Sequence, residues 1–148
     1  MTKADEILGE AFRAAMISAA RNEHAAVEAY IDARARFVNA LLDARQMGLA
    51  NDVHRIEALV SSLDAEFRGL FASADEAALY EFRLRGERAY SEMYDAHNFT
   101  SAAVCYSDAK DFFASAIGAA RKCGRLDEAE RLLRRLDHIR KVYRSQFT

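Results

Sequence analysis

Proline is absent from the 148-residue chain and glycine occurs only six times. A β-sandwich or barrel needs turn residues about every 8–12 positions, so those folds are excluded, as are collagen-like and linker-rich chains. Only two cysteines occur, Cys105 and Cys123, 18 positions apart within one expected helix. At 1.5 Å of rise per residue they are about 27 Å apart, beyond disulfide reach, and they read as reduced thiols of a core or a helix end. Such thiols fit a cytoplasmic protein. Long apolar runs are missing too. The longest charge-free stretch, Ala96 to Ser107, has 12 residues and includes His, Asn, Thr and Ser. A spanning helix needs about 20 apolar residues. The opening MTKADEILGE carries Asp5, Glu6 and Glu10 where a secretory leader is basic and then apolar, so no leader is expected.

What is present is 51% apolar and 30% charged, the balance of a soluble globular protein. The length suits one ordinary domain or two small ones, able to bury about 68–70% of the unfolded surface. The fold class expected is all-α. The net charge of −2 is unevenly spread: residues 1–72 carry −3, residues 73–118 carry −4 and residues 119–148 carry +5.

The chain reads as written twice. At an offset of 76, residues 24–71 align without a gap on 100–147, and 12 of the 48 pairs are identical. They include Tyr30/Tyr106, Phe37/Phe113, Gly48/Gly124, Arg55/Arg131 and Phe71/Phe147. Four are Ala–Ala pairs and count for less in an alanine-rich chain. Upstream the offset becomes about 70, with Ala4–Glu6 on Ala74–Glu76 and Phe12-Arg13 on Phe82-Arg83. Six extra residues are therefore expected near Asp95–Thr100. Such internal similarity marks a repeated structural unit.

Each half reads as three helices: about 3–21, 23–47 and 52–71, then about 74–96, 99–123 and 127–147. The second helix has a stripe at Ala26, Tyr30, Ala33, Phe37, Ala40/Leu41 and Ala44, repeated from Ala102 to Ala120. The third has Val53, Ile56, Val60, Leu63, Phe67 and Phe71. Spacings of three and four mark amphipathic helices with one buried face. Gly48 and Gly124 stand where a helix end needs a left-handed residue. Ser73 with Glu76 and Asp127 with Glu130 are spaced as capping boxes. The expectation is a tandem duplication of a three-helix antiparallel unit: residues 1–72 the first and 73–148 the second, packed as one body.

The stretch from Asn98 to Ala109, with Ala102, Tyr106 and Ala109, resembles the second helix of a tetratricopeptide repeat, and Gly124–Ala129 resembles its turn and helix start. Ala102 and Ala129 are 27 residues apart rather than the repeat's 34. A long middle helix followed by a basic third helix is more similar to the microtubule-interacting and trafficking domain, a three-helix relative of that fold. The resemblance is clearest over residues 79–147. It implies tetratricopeptide-like packing and a groove between helices that takes a short segment of a partner protein, and it carries no catalytic residues.

Enzyme signatures are missing: there is no GxxxxGK[ST], GxGxxG, GxSxG, HExxH or Glu-x-x-His. No cofactor, no metal and no catalytic residue is expected. His24 and His97, with Glu23, Glu28 and Glu92 close by in sequence, are read as surface residues of two corners, and His54 and His138 as solvated. The paired carboxylates Glu28/Asp32 and Asp108/Asp111 are read as solvated faces, since a general acid needs an apolar pocket.

The basic last helix carries the candidate surface. Arg131, Arg134, Arg135, His138 and Lys141 lie three to four residues apart, opposite Leu132, Leu136, Ile139 and Tyr143. Tyr90 and Tyr94 on the fourth helix complete it, because tyrosine beside arginine suits a protein interface. The expected function is a non-enzymatic adaptor binding a helical or acidic segment through Arg131, Arg135, His138, Tyr90 and Tyr94. On that reading, glutamate at 131 and 135 abolishes binding without lowering the melting temperature. Two alternatives stand beside it: a bundle that binds a small ligand or metal at the corners, and a nucleic-acid-associated protein using the basic tail. A pI near 6.1 argues against nucleic acid. Association with a second copy is left open. Gly86, inside the fourth helix, costs about 1 kcal/mol against Ala unless a neighbouring helix approaches there.

Overall fold

In a computed structural model of the protein, residues 2–19 and 21–147 are described, and they form six α-helices with no strand among them. These are α1 (Thr2–Ser18), α2 (Glu23–Gln46), α3 (Ala50–Gly69), α4 (Ala74–Tyr94), α5 (Phe99–Lys122) and α6 (Leu126–Phe147). Each expected span agrees to within three residues. Residue 20, inside the first expected span, lies outside the described residues. The chain divides into two compact units, Met1–Ala72 and Ser73–Thr148.

In the first unit α2 is the central helix, with α1 and α3 packed on it. Ala26, Ala33, Ala40 and Ala44 are all but fully buried. Their small side chains let the flanking helices come close. Phe37 is wholly buried, and Gly9 of α1 lies against its ring: a Cβ there would come within 2.6 Å. Tyr30 stacks on Phe67 of α3, ring centroids 3.9 Å apart and nearly parallel at 6°. Its hydroxyl donates to Asp64 Oδ1 at 2.7 Å, and Arg34 Nε donates to the same oxygen at 3.1 Å. At the other end of α2, Ala40, Leu41 and Ala44 close on Ile56 and Val53. The start of α2 meets the end of α3 and its end meets the start of α3, so the two run antiparallel.

The second unit is built around α5, with α4 and α6 against it. Ala102, Ala109, Ala116 and Ala120 are wholly buried, and so is Phe113. The close approach expected at Gly86 is present: a Cβ on it would lie 2.8 Å from the Phe113 ring. Tyr106 stacks on Tyr143 of α6 at 4.1 Å and 4°. Burying a large apolar side chain is worth about 1.5–3 kcal/mol, so these rings and the alanine seam dominate each unit's stability. Tyr80 of α4 is buried beneath the guanidinium groups of Arg83 and Arg125, and its hydroxyl accepts from Arg125 Nη1.

The contacts correct one expectation within α1 and α4. Gly9 on Phe37 and Gly86 on Phe113 place like residues of these helices 77 apart, not 70. Asp5 meets Arg36 at 3.3 Å, and Phe82 stacks on Phe112 at 6.2 Å, in the same register. The six extra residues expected near 95–100 are therefore absent. The shared Ala-Asp-Glu tripeptide reflects helix-start chemistry, which favours acidic residues in a first turn, rather than matching positions in a core.

Local chemistry sets the corners. Gly48 and Gly124 adopt φ of 69° and 78°, a left-handed region that favours glycine. After each, the next N–H reaches back to the carbonyl of Ala44 (3.0 Å) or Ala120 (2.8 Å), closing a Schellman motif. Ser73 caps α4 by accepting from the Glu76 N–H at 3.1 Å. Asn22 and Asn98 cap α2 and α5 through the N–H groups of Ala25 (3.2 Å) and Ser101 (2.8 Å). Asp127 is not a cap: α6 starts at Leu126, and the Asp127 carboxylate lies 3.5 Å from Arg131. Both cysteines are free thiols and half-buried; Cys123 ends α5 with Sγ donating to the Ala120 carbonyl at 3.6 Å. Burial raises the Cys105 thiol above its ordinary pKa, helped by the charges of Glu92 and Asp108.

Candidate functional site

α4 and α6 pack against α5 and rise together along the second unit. Arg83 meets Glu128, one turn on Glu87 meets Arg135, and one turn further Tyr90 meets His138. The apolar face of α6, Leu132, Leu136 and Ile139, is buried, which turns the arginines of that helix outward.

Four of the five expected site residues come together, with Tyr90 as the hub. The Arg135 guanidinium lies 4.8 Å from the Tyr90 ring centroid, within cation–π range. His138 and Tyr94 each meet Tyr90 edge-to-face at 6.4 Å. Tyr94 is 54% exposed. Beside it lies an open depression of about 290 Å³ lined by Tyr90, Ser91, Tyr94 and Asp95. Three of the four lining residues belong to the last turns of α4 and the fourth, Asp95, is its C-cap, so the depression sits on the end of one helix.

Arg131 stands one turn away with partners of its own. Its Nη2 donates to Glu128 Oε2 at 2.7 Å, and Asp127 lies 3.5 Å away. Glu128 also accepts from Arg83 Nη1 at 2.7 Å. Burial pushes the Glu128 carboxyl up, but the hydrogen bonds and charges of Arg83 and Arg131 outweigh it and hold the group below the ordinary range.

Arg135 is also engaged. It makes a two-pronged pair with Glu87, both bonds 2.8 Å, and that hydrogen bonding raises its pKa against the opposing effect of burial. Further along, Arg134 pairs with Glu130 at 3.9 Å, and Lys141 with Asp137 at 3.3 Å. The +5 charge of the last 30 residues is thus partly offset within the unit. Glutamate at 135 would face Glu87, and glutamate at 131 would face Glu128 and Asp127. The double exchange should therefore lower stability, by losing these pairs and setting like charges together; of the partners, only Glu87 is hidden from spacing within α6.

Both corner histidines are exposed. His24 lies 3.4 Å from Glu28 and both are exposed. Among the described residues no group of three or more His, Cys, Asp or Glu is placed to hold a metal ion. His97 lines a second depression of about 330 Å³ with Asn98, Phe99 and Phe147, and no other titratable side chain lines it. No helix among the described residues is long and apolar enough to cross a membrane. The chain matches no protein-family model, no curated protein and no solved structure.

Proposed function

We propose that the protein is a non-enzymatic interaction module built from a duplicated three-helix unit, and that its second unit holds a short segment of a partner protein. Paired features support the duplication: the Tyr30/Phe67 and Tyr106/Tyr143 stacks, the Gly9/Phe37 and Gly86/Phe113 approaches, and the Asn22 and Asn98 caps. The resemblance of Asn98–Ala109 to a tetratricopeptide helix points the same way.

One observation carries the binding reading. An exposed tyrosine, Tyr94, stands beside a depression, with Tyr90, Arg135 and His138 clustered behind it. Tyrosine and arginine grouped at a partly desolvated spot are the residues that dominate interface energies. The segment lies along the end of α4 with an apolar or aromatic side chain on Tyr90 and Tyr94. An acidic group on the segment meets His138 and the outer edge of Arg135. Because Glu87 already holds Arg135, the aromatic contact contributes more than the charge.

The test is affinity capture with the wild-type chain and with Tyr94→Ala and His138→Ala. A partner recovered in stoichiometric amount by wild type should bind Tyr94→Ala at least about tenfold more weakly, as for a tyrosine anchor worth more than 1.4 kcal/mol. Equal recovery by all three proteins would place the site elsewhere.

A further inference from the structure

The two ring stacks carry different charges at their edges. In the first unit Tyr30 stacks on Phe67, Arg34 follows Tyr30 by four residues and Asp64 precedes Phe67 by three. Those spacings bring both charges to one edge of the stack, where Asp64 Oδ1 accepts from the Tyr30 hydroxyl and from Arg34 Nε. In the second unit Tyr106 stacks on Tyr143, and the residues at the same spacings are Lys110 and Arg140. Both are cations. The carboxylate that closes the first edge has no counterpart at the second.

The second edge is correspondingly open. Tyr30 is 4% exposed, whereas Tyr106 and Tyr143 are half-buried. Lys110 is exposed, with Nζ 5.4 Å from the Tyr106 ring centroid. Among the described residues no carboxylate pairs with Lys110, and nothing accepts from the Tyr106 hydroxyl. Arg140 reaches Asp137 at 3.9 Å, and Asp137 lies closer to Lys141, at 3.3 Å. The other charges on these stretches of α5 and α6 are Arg144, itself engaged, and the exposed Asp108 and Asp111. At 100° per residue, Asp108 stands about 160° around α5 from Lys110, and Asp111 about 100°. The edge is net positive, with Asp137 at its margin. Away from the charges the rings continue. Tyr143 stacks on Phe147 at 5.9 Å, and Phe147 and Phe99 line the depression of about 330 Å³.

We propose that this edge seats an aspartate or glutamate side chain of a partner protein, held by the Tyr106 hydroxyl, Lys110 and Arg140. An apolar side chain of the same segment fills the depression beside Phe99, which is 69% exposed. The first unit shows which occupant fits, because a ring stack with the same spacings holds a carboxylate there. A carboxylate that accepts from a hydroxyl and from cations makes the stronger, charge-assisted kind of hydrogen bond. Phe99 precedes Lys110 by eleven residues, about 16 Å along α5, which an extended segment covers in about five residues. The segment therefore carries its acid and its apolar side chain about five positions apart. The seat uses none of Tyr90, Tyr94 and His138, and it does not rest on the segment proposed for them.

The test is an NMR titration of the full chain with two capped peptides, Ac-Phe-Ser-Gly-Ser-Gly-Glu-NH2 and the reverse order Ac-Glu-Gly-Ser-Gly-Ser-Phe-NH2. At least one should bind and shift the amide signals around Tyr106, Lys110 and Arg140. Replacing its Glu by Gln should weaken binding at least about tenfold, as should Lys110→Gln or Arg140→Asn in the protein. Arg140→Asp should abolish binding, yet melt at a higher temperature than Arg140→Asn, because its carboxylate then has Tyr106 and Lys110 as partners. That second readout needs no ligand. Tyr94→Ala should bind the peptide as the parent does. Failure of both peptides to bind overturns the proposal, as does equal binding of the Gln peptide. So does binding retained by Arg140→Asp, a melting temperature for Arg140→Asp no higher than that of Arg140→Asn, or binding lost in Tyr94→Ala.

Discussion

Gly9 and Gly86 share a helix interior with a phenylalanine ring from the neighbouring helix, and both rings are fully buried. An alanine at either place gains helix propensity of about 1 kcal/mol but drives its methyl into a ring with nowhere to go. The expected result is net destabilisation of about 1–3 kcal/mol for Gly9→Ala or Gly86→Ala in urea unfolding. Gly118 is the internal control: it also lies within a helix, and no atom lies within 4 Å of the position of its Cβ. Gly118→Ala should stabilise by about 0.5–1 kcal/mol. All three shifting alike would contradict the close-approach explanation. A second residue-scale consequence concerns acid. Hydrogen bonding from Arg13 holds the Glu66 carboxyl below its ordinary value of 4.5, and Glu128 is lowered likewise by Arg83 and Arg131. A depressed carboxylate contributes stability that is fully present above the unfolded value and is lost as pH falls through the folded one. Stability should therefore drop below about pH 4.5, and Glu128→Gln should show a smaller drop between pH 6 and 3 by urea midpoints. An unchanged drop would show that Glu128 carries no such linkage.

At the scale of the helix, much was legible before any coordinates. Helix spans followed from three-and-four spacing, and the stripe of α2 from Ala26 to Ala44 is the buried one. The four alanine pairs, which count for little in an alanine-rich composition, are the buried seam of α2 and α5, where a small side chain lets neighbouring helices close. What stayed hidden depends on neighbouring helices. The burial of Tyr80 depends on a cover of two arginines, one of them beyond the end of α5, which spacing within α4 does not show. Arg135 looked like a free cation because Glu87 lies 48 positions upstream. The Ala-Asp-Glu tripeptide shared by α1 and α4 suggests an offset of 70, whereas the approaches of Gly9 to Phe37 and Gly86 to Phe113 lie 77 apart and are marked by only one residue type. Of the candidate surface, the grouping of Tyr90, Tyr94, Arg135 and His138 was readable from helix periodicity, and its ion pairing was not.

At the scale of the molecule, the two compact units carry different chemistry on their helices. The second has half-buried charges, Glu81, Arg85 and Arg88, on α4 and a tyrosine cluster beside α6; the first has exposed, charge-free positions on α1. Each unit has its own buried phenylalanine, its own stacked ring pair and its own alanine seam. A unit of 70–80 residues buries only about 60% of its unfolded surface and is marginal, so its core must be complete within itself to fold alone. The candidate binding surface depends on this, since Tyr90, Arg135 and His138 meet only when α4 and α6 are both packed on α5. The most direct measurement is the thermal unfolding of residues 73–148 produced alone, followed by far-ultraviolet circular dichroism. A helical signal lost in one cooperative step is the expected result. A weak signal that fades gradually would show that the core ascribed to this unit is not sufficient, and would contradict the two-unit architecture.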